Sequence, residues 1–557
     1  MLEFRVIARN SRLSRLQVEE VAAKFPEVSF RVELLASYGD RHQHISLLNG
    51  EAPADMFTRE LDEALIEGRA DLAIHSAKDL PYPMDARLEV VALFPPFDQS
   101  DSLVSRSHLT LAQLLAGSTV GTSSPMRRRE LQALRPDLKV VGIRGCIEER
   151  VRQVREGEFD AAIVATCALK RLGMVDEISE VLPFETHPLQ GYLAVTARRG
   201  RNDLKELLKR DDVLHRQGHV VLAGFGPGDP ELLTVKAVKA LRQADIIFYD
   251  DLIGKQYLDT LTAEKIYVGK RNGLHHTEQD SINRLLLDAA RKGKEVVRLK
   301  GGDPMIFAHG GEEIEFLQSN LVDVKVIPGI TTASALAAST KVSLTHRDIS
   351  SGVSFVNGHA AYPIVPNTET VVYYMGGKSI GRIGQSLHAE GWPTATPVLL
   401  VHNVSLPDEQ TFETTVGQLA EGNATDYPTP VIALVGDVAR LRRQTASTVR
   451  RTLYTGLSCP EPDYIHTPLI EIRPVEFELP DTNGFDYLLF TSRHAVRCWF
   501  QKGKAAVAAQ VVSIGPATTE ELKLFGVTDV FQTEKDDSYG VLDYFSRQPS
   551  GRKVLFP

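Results

Sequence analysis

Short β-branched runs alternate with amphipathic stretches along the whole chain. One example is the run Lys139-Val-Val-Gly-Ile143, which is followed by a helix-like stretch from Ile147 to Gly157 and then by the apolar run from Phe159 to Ala165. A hydrophobic period that changes between 2 and 3.6 in this way is typical of strand–helix–strand units. The pattern predicts a multidomain α/β protein with parallel strands.

Two polar segments interrupt this pattern. The first runs from Asp211 to Gly218 and precedes a strand-like run from His219 to Gly224; the second is the basic segment from Arg440 to Arg451. Domain boundaries fall in polar segments that contribute little to a core. The sequence therefore predicts three α/β units, each large enough to bury its own core. We expect them at residues 1–213, 218–445 and 450–557.

Composition narrows the class of protein. The chain is 43% hydrophobic and 24% charged, and its charges sum to −9, which argues against a general nucleic-acid surface. Its four cysteines lie far apart, without the spacing of a disulfide framework or a zinc site, so we predict no metal and a reducing cytoplasm. Charges interrupt the N-terminal residues where a signal peptide is apolar, and no run reaches the roughly 20 apolar residues of a membrane span. Any anionic ligand must be held by local arginines.

Two glycine-rich turns in the middle unit follow strand-like runs. They are Gly224-Phe-Gly-Pro-Gly228 and Lys300-Gly-Gly-Asp-Pro304. Glycine lets backbone N–H groups approach a ligand closely, and ligands of open α/β sheets gather at the carboxyl ends of strands. Neither spacing matches the dinucleotide fingerprint or a P-loop. Taken alone, the first turn is explained equally well as a plain tight turn.

The segments Gly224–Glu231, Tyr267–Arg271 and Arg298–Phe307, together with Pro328–Thr332 and Tyr374–Gly376, resemble the uroporphyrinogen-III C-methyltransferase family. The resemblance implies a two-lobed α/β enzyme that uses S-adenosylmethionine to methylate uroporphyrinogen III to precorrin-2. That family is usually dimeric, so a homodimer through this unit is one expectation. Carried over by motif, the cofactor-binding positions are Pro227, Gly301, Gly302, Asp303, Ile306, Thr331, Thr332 and Met375.

By the same resemblance, Asp250 is the proton acceptor and Lys270 the proton donor. Methyl transfer to a pyrrole carbon places positive charge on the macrocycle. A nearby carboxylate can stabilise this charge and accept a proton from the macrocycle. Without the motif, Asp250 would be read as a helix N-cap and Lys270 as half of a solvated basic pair. Asp251 and His309 stand where the family has arginine, which we expect to change affinity for an anionic substrate more than reaction type.

In the N-terminal unit, Asp71–Pro81 and Gly121–Ser124 resemble porphobilinogen deaminase, also called hydroxymethylbilane synthase. The resemblance implies a two-lobed, binding-protein-like fold, with Asp79 as catalytic carboxylate. Every pyrrole carries an acetate and a propionate, which guanidinium groups bind well. In isolation, Lys78-Asp79 would be a turn with a surface ion pair. The family's substrate-holding positions are occupied by Arg9, Lys78, Arg127, Arg144 and Arg150.

The deaminase resemblance has departures. Met126 replaces one of the family's paired arginines, and Cys146 replaces an asparagine. The family's third domain carries the cysteine that anchors a dipyrromethane cofactor, but here the chain passes from Asp211 directly into the methyltransferase-like unit. No cysteine occurs between Cys167 and Cys459, so this cofactor is in doubt. Three outcomes stay open: no deaminase activity, a third domain supplied by another chain, or binding of pyrroles alone.

In the C-terminal unit, Asp486–Val496 and Val512–Thr518 resemble uroporphyrinogen-III synthase, of which the chain is expected to hold only a part. Our first interpretation is a tetrapyrrole-biosynthesis fusion that methylates uroporphyrinogen III, with deaminase and synthase activities open. It would act on small pyrroles and tetrapyrroles in a siroheme, cobalamin or heme pathway, without nucleic-acid or membrane partners. The alternative is a largely non-catalytic scaffold that passes pyrrole intermediates between partner enzymes.

Overall fold

The structure is a computed structural model of the chain. It describes residues 2–251, 253–269, 279–359, 363–422, 427–442, 453–455, 457, 465–469, 471–473, 475–503 and 509–557. The chain divides into two compact units. Unit 1 holds residues 1–217, 291–293 and 315–322, and unit 2 holds residues 218–290, 294–314 and 323–557.

Up to residue 217 the chain alternates strands and helices as its hydrophobic pattern predicts. The strands are β1 (Leu2–Arg9), β2 (Val28–Leu35), β3 (Leu72–Ser76), β4 (Leu88–Phe94), β5 (Asp101–Ser105), β6 (Thr119–Thr122), β7 (Lys139–Gly142), β8 (Ala161–Ala165), β9 (Glu180–Leu182) and β10 (Leu193–Arg198). The helices are α1 (Arg12–Lys24), α2 (Tyr38–Arg41), α3 (Arg59–Ile66), α4 (Pro125–Leu134), α5 (Ile147–Glu156), α6 (Thr166–Arg171) and α7 (Asn202–Leu208).

These strands form two sheets, one in each lobe of unit 1. The first has the order β2-β1-β3-β10-β4 and the second the order β7-β6-β8-β5-β9. β1 runs parallel to β2 and β3, and β6 runs parallel to β7 and β8. β10 is antiparallel to both neighbours, because the chain returns from the second lobe to the first before it enters the sheet. The first core contains the fully buried rings of Phe25 and Phe94, packed edge to face at 6.0 Å.

From residue 218 to residue 442 the chain forms two further sheets. The strands are β11 (Val220–Gly224), β12 (Ile246–Tyr249), β13 (Glu264–Tyr267), β14 (Val296–Lys300), β15 (Val324–Ile327), β16 (Val353–Asn357), β17 (Thr370–Tyr374), β18 (Pro397–His402), β19 (Gln410–Thr415) and β20 (Val431–Val435). The helices are α8 (Val235–Gln243), α9 (Lys255–Leu258), α10 (Gln279–Arg291), α11 (Gly310–Ser319), α12 (Thr332–Thr340), α13 (Ile380–Ala389) and α14 (Val416–Ala420).

The first of these sheets has the order β13-β12-β14-β11-β15, and all of its strand pairs are parallel. The carboxyl ends of its strands therefore meet at one edge, where ligands of such sheets bind. The second sheet has the order β16-β17-β20-β18-β19 and mixes parallel and antiparallel pairs.

The C-terminal part is a smaller α/β layer. Its elements are β21 (Leu453–Tyr454), β22 (Ile465–His466), β23 (Tyr487–Phe490), α15 (Arg493–Gln501), β24 (Gln510–Ser513), α16 (Gly515–Leu524), β25 (Val530–Gln532), α17 (Ser538–Ser546) and β26 (Val554–Leu555). The main sheet is parallel, in the order β25-β24-β23-β26, and packs on a core that contains Trp499 and Phe490.

The predicted fold class is confirmed, since the chain is a multidomain α/β protein rich in parallel strands. Within the described residues, every helix is too short or too polar to span a bilayer.

Candidate active site

The loops that follow β11, β14 and β15 meet at the carboxyl edge of the parallel sheet. Gly226 and Gly302 exchange backbone hydrogen bonds: the N–H of Gly302 donates to the carbonyl of Gly226 at 2.7 Å, and the reverse bond is 3.2 Å. A Cβ atom on Gly329 would lie 2.2 Å from the Gly302 carbonyl oxygen, and one on Gly224 would lie 2.5 Å from the same atom. These distances explain why glycines recur here, because a side chain at either position would push the loops apart.

Asp303 ties this glycine junction together. One of its carboxylate oxygens accepts the N–H of Met305 at 2.8 Å, and the other accepts the N–H of Gly329 at 3.0 Å. The carboxylate thus fixes its own loop and the loop after β15. Asp303 was predicted to bind the cofactor. In the structure its carboxylate holds the two loops that shape the candidate cofactor site.

An apolar wall stands beside the junction. Thr331 precedes α12 at its N-cap position, and its hydroxyl lies 2.6 Å from the hydroxyl of Tyr374. The ring of Tyr374 packs 5.2 Å from that of Phe307. Burial raises the pKa of Tyr374, so this phenol stays protonated near neutral pH. Phe307 is 41% exposed and Met375 is 50% exposed. Exposed apolar side chains that lie together often mark a ligand-binding surface.

The remaining predicted cofactor positions lie in the same loops. Pro227 stands between Gly226 and Gly228, both of which have positive φ, in the loop after β11. Gly301 and Ile306 lie in the loop after β14, where the N–H of Ile306 donates to the Asp303 carbonyl at 3.2 Å. Thr332 opens α12, and its hydroxyl would lie 3.8 Å from a Cβ atom on Gly302. The fold gathers these predicted positions in the loops after β11, β14, β15 and β17.

Asp250 follows β12 at the same sheet edge and forms an ion pair rather than the helix cap of the alternative interpretation. Arg298, on the neighbouring strand β14, donates from Nη2 to Asp250 Oδ1 at 2.7 Å. Its other guanidinium nitrogen Nη1 donates to the carbonyls of Phe248 and Leu299 at 3.4 and 3.1 Å. The side chain of Arg298 is 3% exposed and that of Asp250 is 30% exposed, so the carboxylate reaches solvent while its partner does not.

Sequence reasoning missed the side chains behind Asp250. Glu313 on α11 is fully buried and accepts from Lys300 Nζ at 2.6 Å and from Arg298 Nε at 3.3 Å. Burial and the neighbouring Arg298 charge lower the pKa of Lys300, and Glu313 opposes that shift. The signal was present in the sequence, because Arg298 and Lys300 interrupt an apolar run where a buried strand is expected.

Two further predictions concern substrate and proton transfer. Lys270, the expected proton donor, lies outside the described residues. His309, which stands where the methyltransferase family has arginine, is exposed and lies 3.0 Å from Glu312. Within the described part of the chain, we find no group of three His, Cys, Asp or Glu side chains placed to hold a metal ion.

The N-terminal unit brings its predicted cations together. Lys78 and Asp79 lie in a short 3-10 turn, Ala77–Asp79, directly after β3, and Arg9 ends the parallel neighbour β1. Burial, with the charge of Arg127, lowers the pKa of Lys78, and Asp79 opposes this shift. Burial and the charges of Arg127 and Arg144 lower the pKa of Arg150 to about 10. A cluster of like charges lowers pKa values in this way, and it suits a polyanionic ligand.

Arg127 is held by the protein itself. Its guanidinium donates to Asp101 at 2.6 and 2.9 Å, and Nη2 also donates to Gln190 at 3.1 Å. Arg127 is 8% exposed and Asp101 is 1% exposed, so this ion pair is a buried one. Lys78 donates to the same oxygen of Gln190 at 3.2 Å. Arg127 therefore contributes less free positive charge to the cluster than its motif position predicts.

Arg9 and Arg144 lie together on the ring of Phe57, with guanidinium-to-centroid distances of 4.5 and 5.9 Å. Arg9 forms an ion pair with Asp40. Arg144 donates to the backbone carbonyls of Gly39 at 3.1 Å and Gln43 at 3.3 Å. These two partners of Arg144 carry no formal charge, which makes it a better candidate for a ligand carboxylate than Arg127.

Three family models match the chain in sequence order. Porphobilinogen deaminase, dipyromethane cofactor binding domain, matches residues 4–206; tetrapyrrole (corrin/porphyrin) methylases match residues 219–420; and uroporphyrinogen-III synthase HemD matches residues 463–557. With the fold and the site, these matches define the class: a fusion of tetrapyrrole-biosynthesis units with a methylase unit at its centre. The suspected resemblances to all three families are confirmed.

More particularly, the chain belongs to the siroheme synthase family. It is 34% identical over 394 residues to a siroheme synthase of Pseudomonas entomophila, covering 68% of this chain and 80% of that protein. It is also 45% identical over 240 residues to a siroheme synthase of Psychrobacter cryohalolentis, covering 41% of this chain and 46% of that protein. The chain thus spans about half the length of several curated relatives that it matches.

Solved structures are similar to part of the chain. The uroporphyrin-III C-methyl transferase from Thermus thermophilus, complexed with S-adenyl homocysteine, is 39% identical. That similarity covers 40% of this chain and 100% of that chain, with a TM-score of 0.36.

Proposed function

We propose that this chain transfers methyl groups from S-adenosylmethionine to two carbons of uroporphyrinogen III and so makes precorrin-2. The single observation that carries the proposal is the neighbouring placement of Asp250 and the Gly301–Gly302 turn. They follow the adjacent parallel strands β12 and β14, whose register sets Tyr249 opposite Leu299. A candidate base and a candidate cofactor turn therefore share one edge of the sheet. The methylase match and the siroheme synthase relatives support the same reaction class.

The residues present suit the proposed cofactor. The glycine junction leaves its outer side free of Cβ atoms at Gly226 and Gly302, where the nearest atoms to an added Cβ lie 3.6 and 3.8 Å away. Phe307 and Met375 supply exposed apolar surface for a flat ring. When bound, S-adenosylmethionine supplies an electrophilic methyl group on its sulfonium. Gly301, Gly302, Asp303, Thr331 and the other predicted positions would hold it through backbone and hydroxyl groups.

Asp250 has the chemical role in this proposal. Its Oδ1 accepts from Arg298, which leaves Oδ2 outside that hydrogen bond, and the side chain is 30% exposed. As the pyrrole carbon gains a methyl group, its ring becomes cationic, and the carboxylate stabilises that charge. A proton lost from the macrocycle would then be held at Oδ2. Arg298 prevents the carboxylate from rotating away, which is a positioning role.

A product assay tests this function. The purified chain is incubated without oxygen with uroporphyrinogen III and S-adenosylmethionine that carries a labelled methyl group. We expect a tetrapyrrole that is heavier by two labelled methyl groups. Recovery of unmodified macrocycle from a chain that binds S-adenosylhomocysteine would reject the reaction while retaining the cofactor site.

A second candidate function concerns residues 1–213: binding of pyrrole carboxylates without polymerisation. The specific observation is the neighbouring placement of Lys78, Arg144 and Arg150, beside Arg9, which pairs with Asp40, and Arg127, which pairs with Asp101. Calorimetry with porphobilinogen should show binding, and mass spectrometry of the intact chain should show no dipyrromethane adduct. An adduct on Cys146 or Cys167, together with bilane production, would replace this candidate with deaminase activity.

The scaffold alternative makes a different prediction, because a scaffold would bind pyrroles and transfer no methyl group. The methyltransferase proposal also includes three further expectations. They are a division into units at 1–213, 218–445 and 450–557, a homodimer through the middle unit, and a cytoplasmic location. Light scattering of the full chain measures the oligomeric state directly.

A further inference from the structure

Glu313 is a buried charge that the proposed reaction does not use directly. Its side chain is fully buried in unit 2, and its Oε1 accepts from Lys300 at 2.6 Å, from Gln279 Nε2 at 3.1 Å and from Arg298 Nε at 3.3 Å. Its Oε2 has no hydrogen-bond partner within the described residues. A fully buried carboxylate with one oxygen unsatisfied is costly, so a reason for keeping it should be sought.

Stability alone gives a weak reason. Buried ion networks repay their desolvation cost poorly, and apolar residues of similar volume often replace them without loss. The surroundings of Glu313 contain two cations, Arg298 and Lys300, from β14, and the amides of Gln279 and Asn283 from α10, which hydrogen bond to each other at 3.1 Å. This set forms a connected frame around the Glu313 carboxylate.

The frame ends at the candidate base. Arg298 contacts Glu313 through Nε and Asp250 through Nη2, so one planar group joins the two carboxylates. A guanidinium held at both ends has a fixed plane, and the position of that plane sets where Asp250 Oδ1 can lie. Asp250 itself is partly exposed and directly follows the strand β12.

We propose that Glu313 is a positioning residue for methyl transfer, which acts on Asp250 through Arg298. This inference rests on the proposed function, because it assigns Asp250 the task of handling the substrate proton. Lys300 donates to Glu313 at 2.6 Å, and it also leads directly into the Gly301–Gly302 turn. The network therefore connects the base and the cofactor turn through buried side chains.

A double-mutant cycle between Glu313→Gln and Asp250→Asn tests the proposal on the full chain. In the wild-type background, Glu313→Gln should lower kcat by roughly 10-fold to 100-fold, the scale of a base misplaced by about 1 Å, with little change in KM for S-adenosylmethionine. In the Asp250→Asn background the same change should lower kcat by less than about 2-fold, because the base is already gone. Glu315→Gln, an exposed glutamate on the same helix, is the matched control and should leave kcat unchanged.

Equal losses in both backgrounds would overturn the proposal, since they would mean that Glu313 acts on general packing. An unchanged kcat in a folded Glu313→Gln protein would also overturn it. Should Glu313→Gln fail to fold, Glu313→Asp carries the test, because it keeps the charge and withdraws it from Arg298 by one methylene.

Unfolding temperatures of the same single and double variants test the coupling between Glu313 and Asp250 independently of the proposed function. Losing either carboxylate leaves Arg298 with one partner, whereas losing both leaves a buried guanidinium without a carboxylate. The apparent unfolding temperature of the double variant should therefore fall by more than the sum of the two single losses. A chain that transfers no methyl group yet shows this excess loss would reject the function and retain the coupling; additive losses would reject the coupling.

Discussion

Replacing Asp250 by asparagine separates its proposed chemical role from its ion pair. Asparagine keeps an oxygen that can accept from Arg298 at the 2.7 Å position, but it removes the negative charge and the base. Arg298 still has Glu313 at 3.3 Å, so the loss of stability should be about 1–2 kcal/mol, the difference between a charged and a neutral hydrogen bond. Turnover should fall by about 10²-fold or more, which is ~2.7 kcal/mol of barrier.

The assay for this variant is anaerobic methyl transfer at saturating substrate, together with calorimetry of S-adenosylhomocysteine. Cofactor affinity should stay within about 3-fold of wild type, because the glycine junction is intact, and a change of that size is below 1 kcal/mol. Asp259→Asn, an exposed carboxylate in the same lobe, is the control. Turnover within about 2-fold of wild type in the folded Asp250 variant would reduce Asp250 to a structural partner of Arg298.

Three further predictions concern stability and shape. Burial and neighbouring carboxylates raise the pKa of Asp62 to about 6. The stability that its protonated form contributes is therefore lost as pH rises from about 4 through 6. Asp62→Asn should stabilise the chain by about 2 kcal/mol at pH 8 and not at pH 4, as measured by urea unfolding. Gly329→Ala places a Cβ atom 2.2 Å from the Gly302 carbonyl and should weaken S-adenosylhomocysteine binding by about 10-fold or more in calorimetry. Arg127→Met should destabilise the chain by about 3–5 kcal/mol in urea, because the buried Asp101 loses its cationic partner and keeps the Gln190 amide.

Each of these predictions has its own control. Equal stabilisation by Asp62→Asn at both pH values would remove ionisation as the cause. Gly484→Ala, at a glycine with open space around it, should be tolerated, and normal binding by the Gly329 variant would show that the loops can separate without cost. The double change Arg127→Met with Asp101→Asn should recover part of the lost stability; no recovery would mean that packing, rather than charge, holds Arg127.

Local patterns predicted the fold well where the interactions are local. The run from Lys139 to Ala165 was expected to form strand, helix and strand, and it forms β7, α5 and β8 beside a parallel partner. The glycine turns after Gly224 and Lys300 were expected at the carboxyl ends of strands, where the structure places them. These features follow from hydrophobic period and from the conformational freedom of glycine, both of which are read along the chain.

Long-range partners could not be predicted in the same way. Asp101 and Arg127 are 26 residues apart, and their pairing depends on how β5 and α4 pack. Glu313 on α11 and Arg298 on β14 are 15 residues apart, and their contact also depends on how the two elements pack. The antiparallel insertion of β10 likewise depends on the path of the chain between lobes. Such contacts are set by tertiary packing. The sequence determines that packing, but local sequence patterns do not reveal it.

The central claim is methyl transfer to carbon, and carbon-13 NMR measures it most directly. The chain is incubated without oxygen with uroporphyrinogen III and S-adenosylmethionine labelled with carbon-13 in its methyl group. Our account predicts two labelled methyl signals bound to macrocycle carbons, appearing one after the other and both suppressed by Asp250→Asn. A wild-type chain that binds S-adenosylhomocysteine yet leaves all of the label on S-adenosylmethionine would contradict it.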